Sequence, residues 1–188
     1  MPEAVRITLP EGADSLRVLP VGTAVSLSGS VYTARDATHV RLVEDVEREG
    51  ALPFGLGGQV LFYAGPTPPR AGRPAGAVGP TTARRMDPWT PALLAAGIAA
   101  TIGKGPRSDE VRQACARSRA VYLVAVGGAA ALLAARVSAV DVVAYPELGT
   151  EALMRMQIDA FPAWVAIDAQ GRDLYAAAHA EWASGEAS

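Results

Sequence analysis

Residues 98–128, IAATIGKGPRSDEVRQACARSRAVYLVAVGG, hold an apolar run, a helical stretch and a second apolar run in immediate succession. IAATIG and AVYLVAVGG are short enough for buried strands. SDEVRQACARS (108–118) between them reads as a helix. A strand, a covering helix and another strand imply neighbours that run parallel in one sheet.

The alternation continues outward. GAAALLAARV (128–137) reads as a helix, and VDVVAY and AWVAIDAQG as further strands. Upstream, TPALLAAG (90–97) offers Thr90 as an N-cap, Pro91 at the first helical position and Gly97 as a stop. The N-terminal third is richer in strand: RITLP (6–10), AVSLSGSVYTARD (24–36) and GQVLFYAGP (58–66). A helix from Asp36 places Ala37, Val40, Val43 and Val46 at helical spacing and stops at Gly50. The expected fold class is α/β, a β-layer joined to a second, helix-covered and partly parallel sheet, as a single domain over residues 1–188.

Half the 188 residues are hydrophobic and 19% are charged, which supports a core and argues against disorder. The net charge of −2 excludes a general attraction to nucleic acid or anionic lipid, so anion recognition must be local. One cysteine, Cys115, leaves no internal disulfide and too few thiolates for an iron–sulfur cluster. The two histidines, His39 and His179, do not make a metal site. The start lacks the basic and apolar regions of a signal peptide, and no apolar run reaches a membrane span. A cytoplasmic protein is expected.

GPTTARRMD (79–87) follows a Pro- and Gly-dense loop (67–80), a common place for function. Thr81 stands where a short helix could begin, and Arg85 lies one helical turn beyond it. A guanidinium binds a carboxylate through two parallel hydrogen bonds, which lysine cannot copy. The plainer alternative is a capped helix with surface arginines. TARDATH (33–39) ends a strand with Arg35 and Asp36 and sets His39 one turn on; capping and solvated roles would explain these residues equally well. IGKG (102–105) offers Lys104 between glycines without the rest of a phosphate-loop pattern, and an exposed turn lysine is its plain reading. Three loops in a chain without excess positive charge thus each supply a cation, and their convergence on one small polyanion is the expectation to test.

These blocks, with YAGPTPP, VYLVAVGGAAAL, PELGTEAL and FPAWVAIDAQGRDLY, occur in an order that resembles the C-terminal domain, or β subunit, of class I iron–sulfur fumarate hydratases and L-tartrate dehydratases. The resemblance runs from about residue 20 to about residue 175. It implies a swivelling β/β/α domain with a mixed sheet. It also implies a hydro-lyase that adds or removes water across a carbon–carbon double bond in a dicarboxylate. A [4Fe–4S] cluster, held by cysteines of the other subunit or domain, would activate the substrate through an open iron; this chain would bind no cofactor itself. By resemblance Arg35, Arg85 and Lys104 hold the substrate carboxylates, Thr81 is the catalytic base, and Asp36, His39 and Thr82 support them. A threonine alkoxide is costly in water, so the base needs nearby cations and a dry site. Thr38 stands where alanine is expected, and Ala83-Arg84 where serine and a varied residue are common.

The expected function is the β subunit of a two-subunit hydro-lyase acting on fumarate, with L-tartrate dehydratase as the alternative. A non-catalytic dicarboxylate-binding or scaffold module is the rival of another class. The expected partner is an iron–sulfur α subunit in a hetero-oligomer, with a homodimer as the alternative for the chain alone.

Overall fold

A computed structural model describes residues 3–184; the domain expected over 1–188 extends beyond them at both ends. The strands are β1 (Val5–Leu9), β2 (Ala24–Thr33), β3 (Val60–Phe62), β4 (Ala100–Gly103), β5 (Val121–Val124), β6 (Val137–Ala144) and β7 (Leu153–Ile167). The helices are α1 (Asp36–Glu49), α2 (Thr90–Ala95), α3 (Asp109–Ser118), α4 (Ala130–Ala134) and α5 (Leu174–Ser184). No described helix is long and apolar enough to cross a membrane.

The strands form one seven-stranded sheet rather than the two layers expected. β1 through β5 are parallel neighbours in chain order, as the strand–helix–strand pattern requires. β7 then pairs antiparallel with both β5 and β2, which closes β2–β3–β4–β5–β7 into a five-stranded ring. β6 is added outside, on the first half of β7.

Of the 15-residue β7 only the part within AWVAIDAQG was expected as strand, and the strand as formed contains Pro162, which cannot donate to a ladder. The structure accommodates it. β6 covers β7 up to Ile158 and β5 takes over from Trp164, so Pro162 faces a gap on that edge while opposing Ser26 on the other.

Side-chain alternation divides the interior in two. Val60 and Phe62 point into the ring with Val31, Ile102, Leu123, Phe161 and Val165. Leu61 and Tyr63 point the other way, against Leu42, Met86, Leu93, Val111 and Tyr122 beneath the helices. α1 ends at Gly50 in the left-handed conformation, as expected. Its buried face is Thr38, His39, Leu42 and Asp45, whereas Val40 is exposed. Val43 and Val46 of the expected apolar face are partly buried against the core, but the centre of the buried face is shifted toward polar residues, where Thr38 Oγ1 donates to the Glu151 carbonyl and Tyr145 to Asp45. α2 has Pro91 in its first turn, but Thr90 is already helical, and its hydroxyl donates to the Met86 carbonyl instead of capping.

Candidate active site

The carboxyl ends of the parallel strands gather the loop motifs. Ala34, just past β2, donates its N–H to Phe62 O, and Tyr63, just past β3, donates to Ile102 O. The GPTTARRMD segment returns between these ends. Thr81 N–H donates to Tyr63 O at 2.6 Å, Lys104 N–H to Thr81 O at 3.1 Å, and Ala83 N–H to Lys104 O at 2.9 Å. Thr81 and Thr82 are therefore extended, and a 3-10 turn begins only at Ala83. The expected helix start at Thr81 is corrected: the Thr81 and Ala83 N–H groups donate to Tyr63 and Lys104 at the strand ends. Thr82 is the formal bridge partner of Lys104 and is exposed. The Thr81 hydroxyl is half-buried and makes no hydrogen bond among the described residues.

Arg35 and Arg85 meet across Asp36. Arg85 donates Nε to Asp36 Oδ1 at 3.0 Å and Nη2 to Oδ2 at 2.9 Å, while Arg35 Nη2 lies 3.8 Å from the same Oδ2. The two-pronged edge expected to hold a substrate carboxylate is thus occupied by Asp36, and the Nη1 side of Arg85 is left over. Arg35 is 23% exposed, and its Nε is buried without a partner. Its guanidinium lies over Gly65: a Cβ there would stand 3.1 Å from Arg35 Cδ and 2.9 Å from the Thr150 carbonyl. Lys104 runs over Gly127 in the same way and has no ion pair among the described residues. Arg35 and Arg85 are therefore joined through Asp36, and Lys104 and Thr81 through adjacent backbone. Arg84 is exposed and makes no ion pair among the described residues.

His39 is not the solvated helix residue of the plain reading. It has no exposure, and burial lowers its pKa to about 4. Its Nδ1 lies 2.8 Å from the Arg35 carbonyl. A carbonyl only accepts, so Nδ1 carries the proton and the Nε2 lone pair is left buried without a partner. The ring meets Tyr63 edge-on at 5.1 Å, below the strand end that holds Thr81.

Two features escaped the sequence reading. Arg107, unexposed, donates Nε to Asp87 at 2.6 Å and Nη2 to Thr90 Oγ1 at 2.7 Å, and stacks on Tyr63 and Tyr122. It ties the turn after Arg85 to the start of α3, where Ser108 N–H donates to Asp87 Oδ2. Glu151, within the PELGTEAL block, reaches Arg35 Nη2 at 3.3 Å and accepts the Ala37 N–H at 3.0 Å. Nothing local marks either residue as a site support.

The residues present do not fit an iron–sulfur cluster. Cys115 is buried, burial pushes its thiol up to about 12, and no three His, Cys, Asp or Glu side chains gather as a metal site among the described residues.

Fold and strand-end chemistry together define a ring-closed α/β domain that presents cations and a free hydroxyl at the carboxyl ends of parallel strands, the usual location of ligand sites in such sheets. The model of the fumarase C-terminus family matches residues 2–178, and the chain belongs to that family. It is similar to the anaerobic class I fumarate hydratase of Escherichia coli, 37% identical over 179 residues, which cover 92% of this chain and 33% of that protein. Fumarate hydratase 2 of Leishmania major is 36% identical over 178 residues, 92% of this chain and 31% of its own. The L(+)-tartrate dehydratase subunit beta of E. coli is 31% identical over 175 residues, 90% of this chain and 86% of that subunit. The chain spans about a third of the length of the fumarate hydratases it matches.

Proposed function

We propose that this chain is the β subunit of a two-subunit hydro-lyase, converting fumarate and L-malate reversibly and working with an iron–sulfur α subunit that supplies the cluster. The observation that supports the reading is that Arg35 follows β2, Thr81 and Lys104 lie beside the carboxyl ends of β3 and β4, and Arg85 is tied to Arg35 through Asp36. A four-carbon dicarboxylate has an anion at each end and suits separated cations. Arg35 and the Nη1 side of Arg85 bind one carboxylate and Lys104 contributes to the other. Thr81 exchanges the proton next to a carboxylate, with Lys104 beside it lowering the cost of the alkoxide. Asp36 offsets part of the positive charge and holds Arg85 in register.

L-tartrate dehydration is the second reading. It is favoured by the match along 86% of a relative that is itself named as a subunit. Tartrate brings an added hydroxyl, and a site that rewards it must hold a partner for it.

The test is an anaerobic assay of this chain with its iron–sulfur partner on fumarate, L-malate and L-tartrate, comparing wild type with Thr81→Ala and Thr82→Ala. Thr81→Ala is expected to fold normally and lose about a hundredfold or more in kcat, the scale of a missing general base. Thr82→Ala, which removes the neighbouring hydroxyl, is expected to lose far less. Near-normal kcat in Thr81→Ala removes it as the base; no turnover by a verified complex leaves the binding-module alternative.

A further inference from the structure

Glu151 stands 116 residues from Arg35 in sequence, yet its segment makes contacts with Arg35, Ala37 and Thr38. Oε1 lies 3.3 Å from Arg35 Nη2, Oε2 accepts the Ala37 N–H at 3.0 Å, and the backbone carbonyl accepts the Thr38 hydroxyl. Glu151 is 24% exposed on its side chain, Arg35 23%, so the pair is more sheltered than a surface ion pair. From below, Gly65 leaves room for the guanidinium, and the Thr150 carbonyl closes the space beside it. Each contact limits a different freedom of Arg35: its charged end, the helix it caps, and the floor under its stem.

We infer that Glu151 is a positioning residue for Arg35, holding the guanidinium by one carboxylate oxygen and the first turn of α1 by the other. Nη2 is engaged and Nε–H is buried without a partner, so the part of the guanidinium that stays exposed is what an incoming carboxylate meets. An arginine already held in place loses less side-chain freedom when substrate binds, so the gain appears chiefly in affinity. The inference rests on the reading of Arg35 as a substrate-binding cation.

A helix cap alone would explain the Ala37 contact but not the Arg35 contact, and Glu151→Gln separates them. The glutamine carbonyl still caps the helix, whereas its amide nitrogen offers Arg35 no acceptor. The experiment compares wild type, Glu151→Gln, Arg35→Lys and the double variant, each assembled with the iron–sulfur partner, by kcat, KM and melting temperature. Glu151→Gln is expected to raise KM about tenfold with little change in kcat or melting temperature, the loss expected for one charge-assisted contact. In the Arg35→Lys background the same change is expected to have almost no further effect, because a residue that acts through Arg35 has nothing left to position. Additive effects, or an unaffected KM in Glu151→Gln beside an impaired Arg35→Lys, overturn the inference. An unimpaired Arg35→Lys instead overturns the reading of Arg35 itself. Should Glu151→Gln not fold, Glu151→Asp, one methylene too short to span both contacts, is expected to raise KM severalfold, and an unchanged KM overturns the inference.

Discussion

His39 shows how one buried side chain can couple the site to pH. Burial lowers its pKa from 6.5 to about 4, so between those values the unfolded chain binds a proton that the folded chain refuses. Folding stability therefore rises with pH across that window, and falls as the solution is acidified through it. At about 1.4 kcal/mol per unit, the full difference is about 3 kcal/mol below pH 4, of which roughly half is reached near pH 5. His39→Asn keeps a donor for the Arg35 carbonyl but cannot titrate. Urea unfolding at pH 7 and pH 5 is expected to show a smaller loss in this variant than in wild type. An identical loss would assign the acid sensitivity to other groups.

At the scale of elements, the site depends on how strand ends and helix starts are tied together. Arg107 joins the turn at Asp87, the start of α2 at Thr90 and the end of β3 at Tyr63 through a side chain with no exposure. Arg107→Met leaves Asp87 buried without its counter-charge, with only the Ser108 N–H still donating to its carboxylate among the described residues. That change is expected to cost about 3–5 kcal/mol, measured by chemical unfolding. Adding Asp87→Asn removes the stranded charge and is expected to recover part of the loss. Failure of the second change to help would show that packing on Tyr63 and Tyr122, rather than charge, is what Arg107 contributes.

At the scale of the whole molecule, the ring is closed by β7, whose interior contact is Phe161 against Phe62, edge-on at 5.2 Å and wholly buried. Phe161→Ala opens a cavity at the seam where β7 meets β2 and is expected to destabilise the fold by about 3–5 kcal/mol. The loss is expected to appear in the unfolding of the whole ring, because β2, β3 and β4, whose ends adjoin Arg35, Thr81 and Lys104, share that core with β7. A variant that unfolds at the wild-type denaturant midpoint would show that the seam is held by its ladder alone. Among the described residues, cavities of about 250–410 Å³ open without Arg35, Thr81, Arg85 or Lys104 in their lining, and one of them is lined by Pro66 and Thr150, next to the Gly65 floor of Arg35.

Much of the local order was legible in the residues. The apolar runs around SDEVRQACARS became β4, α3 and β5, and Gly50 ended α1, because strand and helix periods and terminal residues act over a few positions. The loop motifs were legible as carriers of cations and hydroxyls, since residue type alone sets their charge and donor count. Their surroundings were not legible. The Thr81 region became an extended bridge instead of a helix start because its neighbours at Tyr63 and Lys104 come from distant strands. Asp36 occupying the Arg85 fork, Glu151 pairing with Arg35, and the burial of His39 all follow from contacts between segments tens of residues apart or more. Ring closure by a strand containing Pro162 depended on a gap in the opposite ladder, which exists only once β5 and β6 have both docked. By itself the sequence determined which elements form and which chemical groups the loops carry, since both are set by neighbours along the chain. Only the tertiary structure decided which of those groups meet, because long-range pairing selects among partners that local patterns leave equivalent.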